Sequence, residues 1–345
     1  MVEIQAHTHL FRSEKLQIGF TGKRGKAKLL LDGLELSLSQ GEFVCLIGVN
    51  GSGKTTLLKT LGGLHPKLSG DIFWDDAEID ALSLKALSTL RSISLTDSYQ
   101  SANLNVLEFI SQAKWQSFNW KGKLPTEEQD RIHQIAEQLQ LTNFLSTPVF
   151  QLSDGERQRA ILARALGQDC EVILMDEPLS HLDVIHKHQL MTELRKICHE
   201  EGKGIVVSTH DWELALKYAD TLWWITHEQG LLVGGPEDIM LSGFTEAYLE
   251  NSPIKLDLAQ GKIITHTQAN HSVQLSGDPI PYFWTQHALQ KIKVHPTNDS
   301  DTDFAIQIHA QKDGYLWEFH STSGKKTYEK LSLLIRELEK LLATS

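Results

Sequence analysis

The sequence holds only three cysteines, Cys45, Cys170 and Cys198, in 345 residues. The number is odd and no Cys-x-x-Cys spacing occurs, so neither a disulfide framework nor a thiolate metal site is expected. The expectation is a reducing compartment in which thiols serve as small core residues. Basic residues are also in short supply, 33 Lys and Arg against 44 Asp and Glu, for a formal net charge of −11. A nucleic-acid surface needs clustered basic side chains to displace counterions, so no nucleic-acid partner is expected. No apolar run reaches the roughly 18–20 residues of a membrane-spanning helix. The opening stretch from Met1 to Phe11 has no basic region followed by an apolar core, which argues against a secretory leader. These absences predict a chain that stays in the cytoplasm and meets a membrane only through a partner. Internal repeats and low-complexity tracts are missing as well.

What remains is ordinary globular material, 41% apolar and 22% charged, long enough for one large domain and a small one. Leu29–Leu38 alternates, and Phe43–Ile47 is a short continuous apolar run, the mark of a strand covered on both faces. A glycine-rich loop follows, then a helix-like stretch, Thr56–Leu61. Residues 97–166 read as mostly helical, with one helix expected over Glu127–Leu141. Strand-like runs return at Val172–Met175, Ile205–Ser208 and Leu222–Thr226, separated by helical segments. That alternation predicts an α/β fold with crossover helices on a sheet. The boundary of the large domain is placed at residue 251. Residues 252–345 read as a small α+β appendix, with a hairpin around Phe304–Phe319 and a leucine-spaced helix from Leu331 to Leu342. Its histidines, among them His266, His271, His287 and His295, show no tight metal-ligand spacing.

The strongest chemical signal is Gly48-Val49-Asn50-Gly51-Ser52-Gly53-Lys54-Thr55, a G-x-x-x-x-G-K-[ST] phosphate loop between strand and helix. Glycines let several backbone N–H groups face one phosphate, and the helix start adds its positive end. Candidate phosphate contacts are therefore Gly48, Asn50, Gly51, Ser52, Gly53, Lys54, Thr55 and Thr56. Lys54 is expected at the β- and γ-phosphates and the Thr55 hydroxyl on Mg²⁺. A second signal is Val172–Met175 followed by Asp176-Glu177-Pro178, an apolar strand ending in acids. Asp176 is the candidate to help hold Mg²⁺, directly or through water, and Glu177 the candidate to orient or polarise the attacking water. The third is Leu152-Ser153-Asp154-Gly155-Glu156-Arg157-Gln158-Arg159, where Ser153 and Glu156 are spaced as a capping box. A plain helix start and a phosphate-binding helix start both fit that spacing.

These three motifs, in this order, resemble the ATP-binding cassette (ABC) family over roughly residues 10–250. The resemblance implies a P-loop ATPase core with a helical subdomain over 97–166. It further implies ATP hydrolysis with Mg²⁺ in a homodimer, each site shared between two copies. By the match, Ser153 and Gly155 contact ATP held by the partner copy, and Asp183 belongs to the loop that communicates across the dimer. His210, in Val207-Ser208-Thr209-His210-Asp211, matches the switch histidine at the γ-phosphate, so Lys54, Glu177 and His210 form the implied catalytic set. Phe20 stands where the family places an aromatic against adenine, with a core aromatic as the rival reading.

Two departures stand out. Asp154 replaces the signature's first glycine and is expected to point outward. Asp97 occupies the place of the glutamine that couples Mg²⁺ to the membrane partner, and Gln100 lies close by as a substitute. Glu177-Pro178-Leu179-Ser180-His181-Leu182-Asp183 is similar to the matching stretch of ATPases serving iron–siderophore, haem and vitamin B12 importers. The resemblance thus implies an energising subunit on the cytoplasmic face of the inner membrane. Its implied partners are integral-membrane permease subunits, a second copy of itself and, indirectly, a substrate-binding protein. An exporter ATPase and a non-transport ABC ATPase with soluble partners are the alternatives.

Overall fold

The computed structural model describes residues 9–21, 27–95, 103–119, 122–226, 230–249, 254–257, 262–265, 271–297, 302, 304–312, 314–321 and 324–343. The chain divides into two compact units, Met1–Thr245 and Glu246–Ser345. In the first unit the strands are β1 (His9–Thr21), β2 (Ala27–Ser39), β3 (Phe43–Gly48), β4 (Ser69–Trp74), β5 (Ala77–Glu78), β6 (Arg91–Ser94), β7 (Val172–Met175), β8 (Gly204–Thr209), β9 (Thr221–Thr226) and β10 (Gly230–Gly234). The helices from its start are α1 (Lys54–Leu61), α2 (Leu84–Leu90), α3 (Val106–Ser111), α4 (Thr126–Gln138), α5 (Asp154–Gly167), α6 (Val184–Glu201), α7 (Trp212–Tyr218), α8 (Pro236–Leu241) and α9 (Phe244–Leu249), the last running across the division.

Two sheets share one core. The smaller is antiparallel, in the order β2-β1-β4-β5. The larger runs β10-β9-β3-β8-β7-β6, parallel throughout except for β10. Strand β3 sits inside this sheet, and Phe43 to Ile47 are all buried, as a run covered on both faces requires. Strand β1 contributes Leu16 and Ile18, and β2 contributes Leu34, Leu36 and Leu38. These pack with Val44 and Leu46 of β3, Leu57 and Leu58 of α1, Trp74 and Trp223. Because β3, β6, β7 and β8 are mutually parallel, their carboxyl ends open on one edge, the edge from which loops carry ligands in such sheets.

The expected strand Val172–Met175 is β7, and the other two expected strands extend by a residue or two into β8 and β9. The helix expected over Glu127–Leu141 is α4, which stops at Gln138. Gln140 takes the left-handed conformation (φ 57°), and the Leu141 N–H returns to the Ala136 carbonyl, closing the helix. All three cysteines are buried free thiols, in keeping with their reading as core residues. Burial pushes the Cys170 and Cys198 thiols up to about 12, and Cys45 higher still.

The second unit holds a two-stranded antiparallel ribbon, β11 (Ile254–Asp257) and β12 (Lys262–Thr265). It also holds β13 (His271–Ser276), α10 (Pro279–Lys291), β14 (Val294–Thr297), β15 (Ala305–Gln311), β16 (Gly314–Ser321), β17 (Gly324–Tyr328) and α11 (Leu331–Ala343). Its five-stranded sheet runs β14-β13-β15-β16-β17. The expected hairpin is β15–β16, turning between Gln311 and Gly314, and the leucine-spaced helix is α11, which buries Leu334 and Leu338. The parallel pair β13 and β14, joined through α10, was not expected. Within this core the Trp317 Nε1–H donates to Thr285 Oγ1 (2.8 Å), and that hydroxyl donates to the Pro281 carbonyl (2.7 Å).

Candidate functional site

The loop leaving β3 is shaped by glycines. Gly48, Gly51 and Gly53 all have positive φ, and Gly53 is left-handed at the N-cap of α1. A Cβ at Gly48 would lie 2.8 Å from Ser52 Oγ and 3.1 Å from the Ile225 carbonyl oxygen, so no larger residue fits without rearrangement. Helix α1 has no side-chain cap and no acid in its first turn, which leaves its N-terminal N–H groups for an anion. Ser52 Oγ is buried and finds no hydrogen-bond partner among the described residues. A buried hydroxyl without a partner is costly, and a phosphate oxygen in this loop would satisfy it. Lys54, only 6% exposed, donates to the Gly48 carbonyl (2.8 Å) and pairs with Glu177 Oε1 (3.3 Å).

Strands β7 and β8 deliver the acids and the histidine beside that loop. Thr55 Oγ1 donates to Asp176 Oδ2 (2.8 Å), and Ser208 Oγ donates to Asp176 Oδ1 (2.7 Å). The Glu177 N–H donates to the same Ser208 oxygen (2.8 Å). Glu177 is left-handed (φ 48°), and its carboxylate spans from Lys54 on one oxygen to His210 Nδ1 on the other (2.9 Å). The structure therefore brings Lys54, Thr55, Asp176, Glu177 and His210 together. The hydroxyl and carboxylate of Thr55 and Asp176 are a hard-oxygen pair of the kind Mg²⁺ takes, so the residues present fit that ion. Sequence reasoning gave Ser208 no part. Its signal was a serine closing the apolar run Ile205–Val207, two residues before the histidine.

A second group forms where α5 and α6 begin. Ser153 caps α5: its hydroxyl accepts from the Glu156 N–H (3.4 Å) and donates to Glu156 Oε2 (2.7 Å), which also accepts the Ser153 N–H (2.8 Å). These bonds from Ser153 hold the Glu156 carboxyl below the usual carboxylate range. The Asp154 carboxylate is half exposed and paired to Arg157 (2.8 Å). Asp183 caps α6, accepting the His186 N–H on one oxygen and facing His186 Nδ1 with the other, both at 2.9 Å. The backbone bond from His186, then its ring, lower the Asp183 carboxyl. The His186 ring packs against Gly155, where a Cβ would meet its Cδ2 at 3.0 Å.

Phe20 lies on β1, 46% exposed, edge-on to the His65 ring at 5.3 Å between centroids. The rival reading of Phe20 as a core residue does not hold. Asp97 and Gln100 lie outside the described residues.

A family model described as ABC transporter matches residues 31–180, and one described as iron ABC transporter C-terminal domain matches residues 270–339. The chain is 32% identical over 231 residues to an uncharacterized ABC transporter ATP-binding protein of Methanocaldococcus jannaschii, covering 67% of this chain and 78% of that one. It is 31% identical to a petrobactin import ATP-binding protein of Bacillus anthracis, covering 61% and 78% of the two chains. Against a hemin import ATP-binding protein of Bordetella pertussis the identity is again 31%, covering 63% and 84%. Among solved structures it superposes on a putative metal-chelate type ABC transporter in an inward-facing conformation, with a TM-score of 0.60 at 21% identity over 75% of this chain and 96% of that one. No helix among the described residues is long and apolar enough to cross a membrane.

Proposed function

Since this chain belongs to the ABC transporter ATP-binding proteins, we propose that it hydrolyses ATP to energise a membrane importer for iron–siderophore, haem or cobalamin-type metal chelates. The observation that carries this reading is the double match. An ATPase core related to siderophore and haem import proteins is followed in the same chain by an iron-transporter C-terminal domain. In that role the chain sits on the cytoplasmic face of the inner membrane, bound to permease subunits that a substrate-binding protein serves.

The site geometry supports the chemistry residue by residue. The loop of Gly48, Asn50, Gly51, Ser52, Gly53, Lys54, Thr55 and Thr56 cradles the triphosphate, and Ser52 supplies a hydroxyl with no partner among the described residues. Lys54 exchanges its present partners, the Gly48 carbonyl and Glu177, for phosphate oxygens. Thr55 and Asp176 would hold Mg²⁺, with Asp97 as a further candidate, and the ion would supply neutralisation of charge on the phosphates. Glu177 orients the attacking water, and His210, already on the Glu177 carboxylate, reports the γ-phosphate to it. Phe20 offers its exposed ring to adenine.

Ser153, Gly155 and Asp183 act on the nucleotide of a second copy. A twofold dimer lets each surface serve both roles. Closure then depends on the γ-phosphate, and hydrolysis reopens the pair.

The test is co-purification from detergent-solubilised membranes of the native host, with the bound proteins identified by mass spectrometry. A many-helix permease accompanied by a substrate-capture protein is the expected result. Recovery of soluble partners alone would overturn the importer reading and leave the ATPase chemistry standing.

A further inference from the structure

The geometry around β8 singles out a side chain that no motif assigns. Ser208 is fully buried, between Val206 and Val207 on one side and Thr209 on the other, all equally inaccessible. In such a run an apolar residue would pack at least as well, and a hydroxyl there is tolerable only when bonded. Ser208 is bonded on both counts. Its proton goes to Asp176 Oδ1 at 2.7 Å, and its oxygen receives the Glu177 N–H at 2.8 Å. One hydroxyl therefore holds two consecutive acids.

The consequences differ for the two. The terminal torsion of an aspartate is broad and roughly twofold, so a carboxylate held at one oxygen can swing. With Oδ1 fixed by Ser208, Oδ2 is presented to Thr55 Oγ1 at 2.8 Å, which completes the oxygen pair suited to Mg²⁺. Glu177 is a non-glycine residue in the left-handed region, and such a residue persists only where its surroundings over-determine it. Its carbonyl accepts the Ser180 N–H (3.1 Å) and its N–H is taken by Ser208. Without the second bond, the backbone that aims the carboxylate at Lys54 and His210 loses one of its two anchors.

We infer that Ser208 is a positioning residue of the hydrolytic site: its hydroxyl orients Asp176 toward the metal and fixes the backbone from which Glu177 reaches the water. The inference rests on the roles proposed above for Thr55, Asp176 and Glu177.

The test uses the full chain carrying Ser208→Thr or Ser208→Val, two side chains of nearly equal size that differ in the hydroxyl. Nucleotide affinity is measured in EDTA. Mn²⁺ affinity in the presence of a non-hydrolysable ATP analogue is measured by electron paramagnetic resonance, and kcat and KM are measured with Mg²⁺. In EDTA both variants bind nucleotide as the parent does. Ser208→Val weakens Mn²⁺ binding roughly 10- to 100-fold, the usual cost of losing a group behind a metal ligand. It lowers kcat far more than it changes KM, and Ser208→Thr restores both. Parent-like Mn²⁺ binding by Ser208→Val overturns the inference, as does a Thr variant as damaged as the Val variant. If the parent protein shows no nucleotide-dependent Mn²⁺ binding, the Thr55–Asp176 metal reading fails first and takes the inference with it.

Discussion

The ammonium of Lys54 lies 3.3 Å from the carboxylate of Glu177, in an ion pair whose side chains are 6% and 18% exposed. The cation proposed for phosphate and the acid proposed for water are thus each other's partners. Lys54→Ala is expected to abolish tight ATP binding. Glu177→Gln is expected to bind ATP at least as tightly as the parent, because Lys54 is released, while turnover falls about 10²–10³-fold, the usual cost of one positioned polar group. Equilibrium binding of a fluorescent ATP analogue beside a phosphate-release assay checks both. A Glu177→Gln protein that still turns over would remove Glu177 from its role.

Asp154→Gly should leave the ATPase rate nearly unchanged, since the carboxylate is half exposed and engaged by Arg157. The loss in stability should be no more than about 1 kcal/mol, as for an exposed acid in the first turn of a helix. A tenfold rise in rate would show that this acid obstructs the phosphate.

The capping box next to it makes a pH prediction. Glu156 titrates lower in the folded chain than in the unfolded one because Ser153 binds its ionised form. Its stabilisation is therefore complete above the unfolded pKa and is lost as the pH falls through the folded one. Glu156→Gln should flatten that part of the acid limb in thermal unfolding measured against pH.

Phe20→Ala should weaken ATP by about 1–3 kcal/mol, the range for base–aromatic stacking, with inorganic triphosphate unaffected and Phe20→Tyr close to the parent. Calorimetric titration with both ligands separates a stacking loss from a folding defect.

In the second unit, Thr285→Val should cost about 1–3 kcal/mol, because it strands the buried indole N–H of Trp317. Chemical unfolding followed by tryptophan fluorescence checks the value. A neutral outcome would mean that the indole finds another acceptor.

Much of this was legible in the sequence because the cues were local. The glycine loop, the apolar run ending in Asp176 and Glu177, and the hairpin at 305–321 all declare themselves within a few residues. What was missed depended on partners far along the chain. Strand β1 is 13 residues long, but its register shifts against β2 break the alternation that would have marked it. Helix α10 exposes Ile280, Phe283 and Trp284 while burying Thr285 and Leu289, so it carries no clear apolar face to announce a helix. Ser208 acquires meaning only when β8 pairs with β7, 32 residues from Asp176 in sequence and 2.7 Å away in space.

The His186 ring touches Gly155 at the start of α5 and Asp183 at the start of α6. Within one chain the ring thus stands between the two turns. For genetics this means that alleles at 155 and 183 are not independent reporters. A bulkier residue at 155 must first move the ring, and the ring is what steadies Asp183. A defect seen at one turn belongs to both until His186 itself has been replaced by a smaller side chain and the pair compared again.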